Sequence, residues 1–230
     1  MEREKLLNDW LITDYDREIF ERDLENFVPP RVFDAHAHLY DIDHFDPSSD
    51  EKRLHSGPPI VSVDEYDNFN AEFMPGRSVD TLFFPMPTAT VDIDATNEFT
   101  AKEVSKLAHS HGQMLISPAH DPEFVRETVR ANGFVGLKPY HVFSSNIPTQ
   151  DSAIEEFLTE QHVRVAHEER LTITLHIVRQ RALADKQNQA TIRRYATKYP
   201  DMRLILAHLA RGFNPHHTIE GIVGLTGLSN

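Results

Sequence analysis

The sequence predicts an α/β fold of the (β/α)8 TIM-barrel type, with about six βα units present in its 230 residues. Three observations predict it. Short, near-continuous apolar runs alternate with amphipathic segments of helical length from residue 79 onward, as in parallel sheets. Glycine or proline punctuates most of the joins. Histidine or lysine closes four of the apolar runs, at the strand ends where a parallel barrel carries its site.

In chain order, Leu6 to Phe27 mixes charge with spaced apolar residues (Leu7, Trp10, Leu11, Ile19, Phe20, Leu24) and predicts one or two amphipathic helices, ended by Pro29-Pro30. Residues 1–30 are thus a helical extension and 31–230 a partial barrel. The first strand is expected at Val32 to His38. A loop rich in Asp, Ser, Gly and Pro follows from Tyr40 to Pro59, then a helix from Val63 to Met74 stopped by Pro75-Gly76. The later strands are expected at Val79–Phe84, Met114–Ser117, Phe134–Lys138, Leu171–Ile177 and Arg203–His208. Between and after them, helices are expected at Asn97–His111, Pro122–Ala131, Ser152–Glu169, Asp185–Tyr199 and Pro215–Leu225. That makes six strands where a full barrel has eight and typically about 250 residues. The closing Gly227-Leu228-Ser229-Asn230 reads as a turn into a further strand, so a barrel cut short is expected.

Bulk properties narrow the function. With 23 basic and 36 acidic residues the net charge is −13, which argues against nucleic acid or an anionic membrane as the main partner. No run approaches the roughly 18 apolar residues of a spanning helix. The N-terminus is charged, with no apolar run after it, so no secretory signal is expected. There is no cysteine, hence no disulfide or thiolate site, and the expected setting is the cytoplasm. A small molecule is the expected substrate, and a homo-oligomer is compatible with the composition.

The chemistry starts at Asp34-Ala35-His36-Ala37-His38. In a regular strand Asp34, His36 and His38 share one face, and Phe33, Ala35 and Ala37 the other. Two adjacent imidazoles are poor core material but a ready pair of metal ligands. Farther on, Lys138 closes the fourth expected strand, with Tyr140 and His141 after it. His176 with Arg179 closes the fifth, and His208 with Arg211 the sixth. Singly, each histidine is more readily a hydrogen-bonded core residue than a ligand. Together with His-x-His on the first strand, the set points to one site.

These pieces resemble the amidohydrolase superfamily, in its amidohydrolase-related branch: Phe33-Asp34-Ala35-His36-Ala37-His38, Gly136-Leu137-Lys138-Pro139, Leu175-His176 and Leu206-Ala207-His208. The resemblance implies a (β/α)8 barrel holding one or two divalent metal ions, with His36, His38 and His176 as ligands. His208 would bind a second metal, or hold the metal-bound water or the substrate. Lys138 has three readings: carboxylated and bridging two metals, unmodified and touching substrate, or paired with a buried carboxylate such as Asp34. The family pattern also carries an aspartate at the end of the eighth strand as ligand and general base, and this sequence stops before that strand.

The implied reaction is metal-assisted, with water activated to attack a C–N or C–O bond of a small organic acid derivative. His208 would stabilise the developing oxyanion, and Asp34 or a backbone carbonyl would orient the imidazoles. Arg179, Arg211, His120 and His141 are candidate substrate-binding groups, with solvated rim charges as the alternative. His109 and His111 read as helix C-terminal residues, and His216-His217 as surface residues at a helix start. Zinc suits histidine ligands without cysteine, while manganese, iron, cobalt and nickel also fit. A decarboxylase or hydratase of the same branch could use the same residues. A non-catalytic fragment that binds metal weakly or folds with a partner is the third reading.

Overall fold

The computed structural model describes residues 11–48 and 57–228. It is an α/β fold with a seven-stranded, mostly parallel sheet, and the chain divides into two compact units, Met1–Gly112 and Gln113–Asn230.

The first unit opens with α1 (Asp14–Ile19), which continues into a π-helical turn at Phe20–Leu24. Thr13 and Asp16 form a reciprocal cap: the Thr13 hydroxyl accepts from the Asp16 amide at 3.2 Å, and the Asp16 carboxylate accepts the Thr13 amide at 2.8 Å. The expected start of this helix, Leu6 to Trp10, lies outside the described residues. Strand β1 (Arg31–Asp41) is longer than expected, and β2 (Ile60–Val61) pairs antiparallel with its end, Tyr40 opposite Val61. Two residues are too few to carry a period-2 pattern, so the sequence showed six strands rather than seven.

Helix α2 (Val63–Phe73) is capped by the Ser62 hydroxyl, which accepts from the Glu65 amide at 3.2 Å. Strand β3 (Ser78–Pro85) runs parallel to β1, with Val32 opposite Val79. Helix α3 (Ile93–Val104) then leads to β4 (His111–Ile116). Here the expectation of a helix to His111 fails. The helix ends at Val104, and His111 and Gly112 enter the sheet opposite Leu82 and Phe83. Gly112 is a strand residue rather than a helix stop, and His111 has no helix terminus beside it. Ala37, Leu39, Phe45, Val61, Val63 and Phe83 form the buried core of this unit.

In the second unit the rest of β4 pairs with β5 (Gly136–Pro139), β5 with β6 (Thr172–Leu175), and β6 with β7 (Arg203–Leu206), all parallel. The strand order is β2-β1-β3-β4-β5-β6-β7. Helices α4 (Pro122–Asn132), α5 (Glu160–Glu168) and α6 (Lys186–Lys198) connect these strands, and α7 (Pro215–Val223) follows β7. Asp121 caps α4 and Gly133 ends it at φ 68°, a conformation that glycine enters at little cost. Gly136 is fixed by crowding: a Cβ there would stand 2.3 Å from Thr172 Oγ1 and 2.5 Å from the Thr172 carbonyl.

The helix expected from Ser152 starts only at Glu160. Ser152, Ile154, Phe157 and Leu158 are all buried, and the chain crosses them in 3-10 turns before Thr159 caps α5. Ser152 and Ile154, two residues apart, would point to opposite sides of a helix, so the four cannot share one helical stripe. Among the described residues, no helix is long and apolar enough to cross a membrane.

Candidate functional site

In the first unit the site is built on a β-bulge. Asp34 pairs with Thr81, but Phe83, two residues later on β3, pairs with Ala37, three residues later on β1. One extra residue in β1 reverses the alternation of faces. Asp34 therefore shares a face with Ala37, Thr81 and Phe83, while His38 shares the opposite face with Phe84. The bulge thus breaks the single face expected for Asp34, His36 and His38, although all three line one cavity. Both imidazoles pack edge-on against the same ring, His36 at 4.6 Å and His38 at 4.8 Å from the Phe84 centroid, and 5.2 Å from each other.

Asp34 instead pins the bulge. One carboxylate oxygen accepts the His36 amide at 2.9 Å, and the other accepts the Tyr66 hydroxyl of α2 at 2.7 Å. Thr81 Oγ1 donates in turn to the Tyr66 oxygen at 3.1 Å. Burial raises the Tyr66 phenol above its ordinary value. The orienting group for His38 is a backbone carbonyl: Nδ1 lies 3.0 Å from the Pro85 oxygen. A carbonyl only accepts, so Nδ1 carries the proton and Nε2 the lone pair.

His36 and His38 form part of the wall of a cavity of about 670 Å³. Leu11, Ile12, Val61, Phe69 and Met86 supply most of its apolar lining, and Asp34, Glu65 and Glu72 its carboxylates. Burial, and then the Glu65 charge, push the Tyr40 phenol up to about 12.

The second unit gathers a different set at the carboxyl ends of β5, β6 and β7. Lys138 lies on β5 with no exposed surface, and burial lowers its ammonium to about 7. Its Nζ stands 5.9 Å from the centroid of the Tyr140 ring. Tyr140 stacks on His141 at 4.9 Å and meets His176 edge-on at 4.8 Å. His176 lies 5.7 Å from His141 and 5.0 Å from His208, centroid to centroid. Burial, then the basic groups His208, Lys138, His141 and Arg211, hold His176 down to about 3. Burial and Arg211 bring His141 to about 4, and burial with Lys138 lowers His208. His141 Nδ1 lies 3.0 Å from Thr149 Oγ1. His176 Nδ1 is buried with no hydrogen-bond partner.

His208 sits in a single left-handed turn: it, Leu209, Ala210 and Arg211 have φ of 55°, 53°, 55° and 59°. For residues other than glycine this costs about 1–2 kcal/mol each. Nothing in Ala-His-Leu-Ala-Arg signals it.

The other candidates fall differently. Arg179 Nε lies 3.2 Å from Asp185 Oδ2, and Asp185 Oδ1 caps α6 by accepting from the Gln187 and Asn188 amides. This guanidinium is tied to a helix cap. His120 turns its Nδ1 to the Ser117 amide at 3.3 Å, while its carbonyl accepts from His162 Nε2 at 2.9 Å. It braces the turn between β4 and α4. His216 lies in the first turn of α7, where its amide donates to the Asn214 side chain at 3.1 Å, a surface role as expected. Sequence reasoning passed over Tyr66, Phe84 and the buried His162. Each acts through a neighbour distant in sequence, which a local pattern does not encode.

No family model, curated protein or solved structure matches the chain. Among the described residues no group of three His, Asp or Glu side chains could hold a metal ion. The donor chemistry still suits one. In the second unit His176 stays neutral near pH 7, as a ligand must, and its buried Nδ1 lacks the partner an ion would supply.

Proposed function

We propose that the chain is a metal-dependent hydrolase of the amidohydrolase type, cleaving a C–N or C–O bond in a small organic acid derivative. On this reading the parallel strands belong to a (β/α)8-type barrel and the protein works in the cytoplasm, which the lack of cysteine suits. The observation that carries it is the His36–His38 pair: two imidazoles against one phenyl ring, one with its tautomer set by a carbonyl, lining a cavity of small-molecule size.

His36 and His38 would hold the ion, zinc being the first choice for histidine donors. When bound, it would polarise the scissile carbonyl and activate water. The chain's own groups supply the rest. Pro85 keeps the His38 ring in place through Nδ1. Burial keeps His176 neutral. His208 would donate a ring N–H to the oxygen that gains charge, and the Lys138 ammonium would contact the substrate.

A lyase is the second reading, and one observation favours it. Lys138 and Arg211 both act on His176, and two basic side chains around it suit a substrate carboxylate.

Metal content of the purified chain and of His36→Ala tests the proposal. About one divalent ion per chain, lost in the variant, is the expected result, with turnover of an amide, ester or lactone panel by the loaded protein. CO2 release in place of hydrolysis would move the assignment to the lyase. A folded chain that is metal-free and indifferent to His36→Ala would overturn both.

A further inference from the structure

The sheet ends at β7, and among the described residues no strand pairs with its outer edge. The Arg203 amide donates inward, to the Leu171 carbonyl. Successive residues of a strand turn their N–H and C=O to opposite sides, so Leu204 and Leu206 present theirs outward. Proteins blunt such an edge with lysine, proline, a bulge or a covering segment. Leu204-Ile205-Leu206 carries no charge and no proline, and it pairs with β6 without a shift in register. These three residues are only half-buried, whereas every residue of β5 is buried.

Helix α7 adds an apolar face on the same side. Its glycines seat it against α6 and the turn before α6. A Cβ on Gly221 would stand 2.5 Å from the Leu183 carbonyl carbon, and one on Gly224, just past the helix, 2.2 Å from Gln189 Oε1. Ile219, Ile222 and Val223, three and four residues apart, lie on the face turned away from Gly221. Helix α6 joins β6 to β7, so that face looks past the end of the sheet. With Phe213 these side chains are 57–79% exposed. Four large apolar side chains so exposed make a patch of roughly 500 Å², near the upper limit for the largest patch on a typical monomer. The β7 residues and the strand edge bring the face toward the roughly 800 Å² that each partner buries in a stable interface. Glu220, the acidic residue of α7, is paired with Arg181, so it does not oppose its own copy with a free carboxylate.

We propose that a second copy of the chain covers this face, with β7 pairing antiparallel to β7 of the partner about a two-fold axis through Ile205. Leu204 then stands opposite Leu206 of the partner subunit and the two exchange both backbone hydrogen bonds, while the two Ile205 residues form a non-hydrogen-bonded pair. The axis runs perpendicular to the sheet, so both copies of α7 lie on one side of the joined sheet and their apolar faces meet. Such an isologous contact closes at two subunits. The inference is independent of the hydrolase reading.

The test is sedimentation equilibrium of the purified full chain, with a dimer as the expected result. Ile222→Glu changes an exposed residue and should weaken the dimer at least tenfold. Because the chain has no cysteine, Ile205→Cys can form only an intermolecular disulfide. The paired Cα atoms would stand about 4.5 Å apart, within the roughly 4.4–6.8 Å that a disulfide spans, so mild oxidation should give a covalent dimer. Glu127→Cys, exposed on α4, should not crosslink. A chain that stays monomeric at every concentration would overturn the proposal. So would a dimer indifferent to Ile222→Glu in a variant with an unchanged circular dichroism spectrum, or an Ile205→Cys chain that crosslinks no faster than Glu127→Cys.

Discussion

Replacing Lys138 by methionine tests what it costs to bury an ammonium on β5. The side chain has no exposed surface, and its burial brings the group from 10.5 to about 7. Each tenfold loss of proton affinity is worth about 1.36 kcal/mol, so that gap corresponds to about 5 kcal/mol. The sign follows from proton linkage. Above 10.5 the lysine is neutral in both the folded and unfolded chain, and its burial carries no electrostatic cost. Between 10.5 and about 7 the unfolded chain holds a proton that the folded chain gives up, so stability falls as the pH falls. Below about 7 the whole cost is present.

Methionine has a similar volume and no charge, and exchanges of this kind are often neutral or stabilising. Lys138→Met is therefore expected to be more stable than the parent by up to about 5 kcal/mol at pH 6, narrowing to about 2 kcal/mol at pH 9. Urea unfolding followed by circular dichroism at the two pH values measures both differences. A variant less stable than the parent at pH 6 would refute the reasoning, and a carboxylated lysine would give that result. A difference that does not change with pH would show that packing rather than charge sets the balance.

Further expectations concern the scaffold. Tyr66→Phe removes a hydrogen bond to the Asp34 carboxylate and an acceptor for Thr81; a loss of about 2–3 kcal/mol is expected in urea unfolding. Gly136→Ala drives a methyl group into Thr172 and should cost about 3 kcal/mol or prevent folding, read as the yield of soluble, cooperatively unfolding protein. Leu209→Gly relaxes a left-handed residue whose side chain is 79% exposed, and should stabilise the chain by about 1 kcal/mol; a destabilised variant would argue against the left-handed turn.

The alternation of strands and helices was legible because parallel strands buried on both faces leave near-continuous apolar runs, such as Met114 to Ile116. Caps were legible too: Asp121-Pro122 and Gly133 bracket α4 where local chemistry demands it. The histidine pair of β1 was visible as a spacing, and the structure keeps the rings adjacent. Asp34 was assigned to the wrong face because a bulge is a property of the pairing between β1 and β3, and neither strand's sequence states it alone. Gly112 misled for a related reason, since the same residue can end a helix or pass through a crowded strand. Arg179 and Asp185 lie six residues apart, yet their ion pair depends on the irregular turn between β6 and α6 that brings them together. The left-handed path of His208 to Arg211 has no glycine or asparagine to announce it.

The hydrogen bonds around Asp34 have a mechanical consequence. Thr81 on β3 holds Tyr66, Tyr66 on α2 holds Asp34, and Asp34 holds the backbone amide of His36. The middle member of that linkage, Tyr66, also lines the cavity, together with its helix neighbours Asn68 and Phe69. A ligand that displaced α2 would therefore pull on the peptide carrying His36, and a shift at His36 would reach the cavity wall through Tyr66.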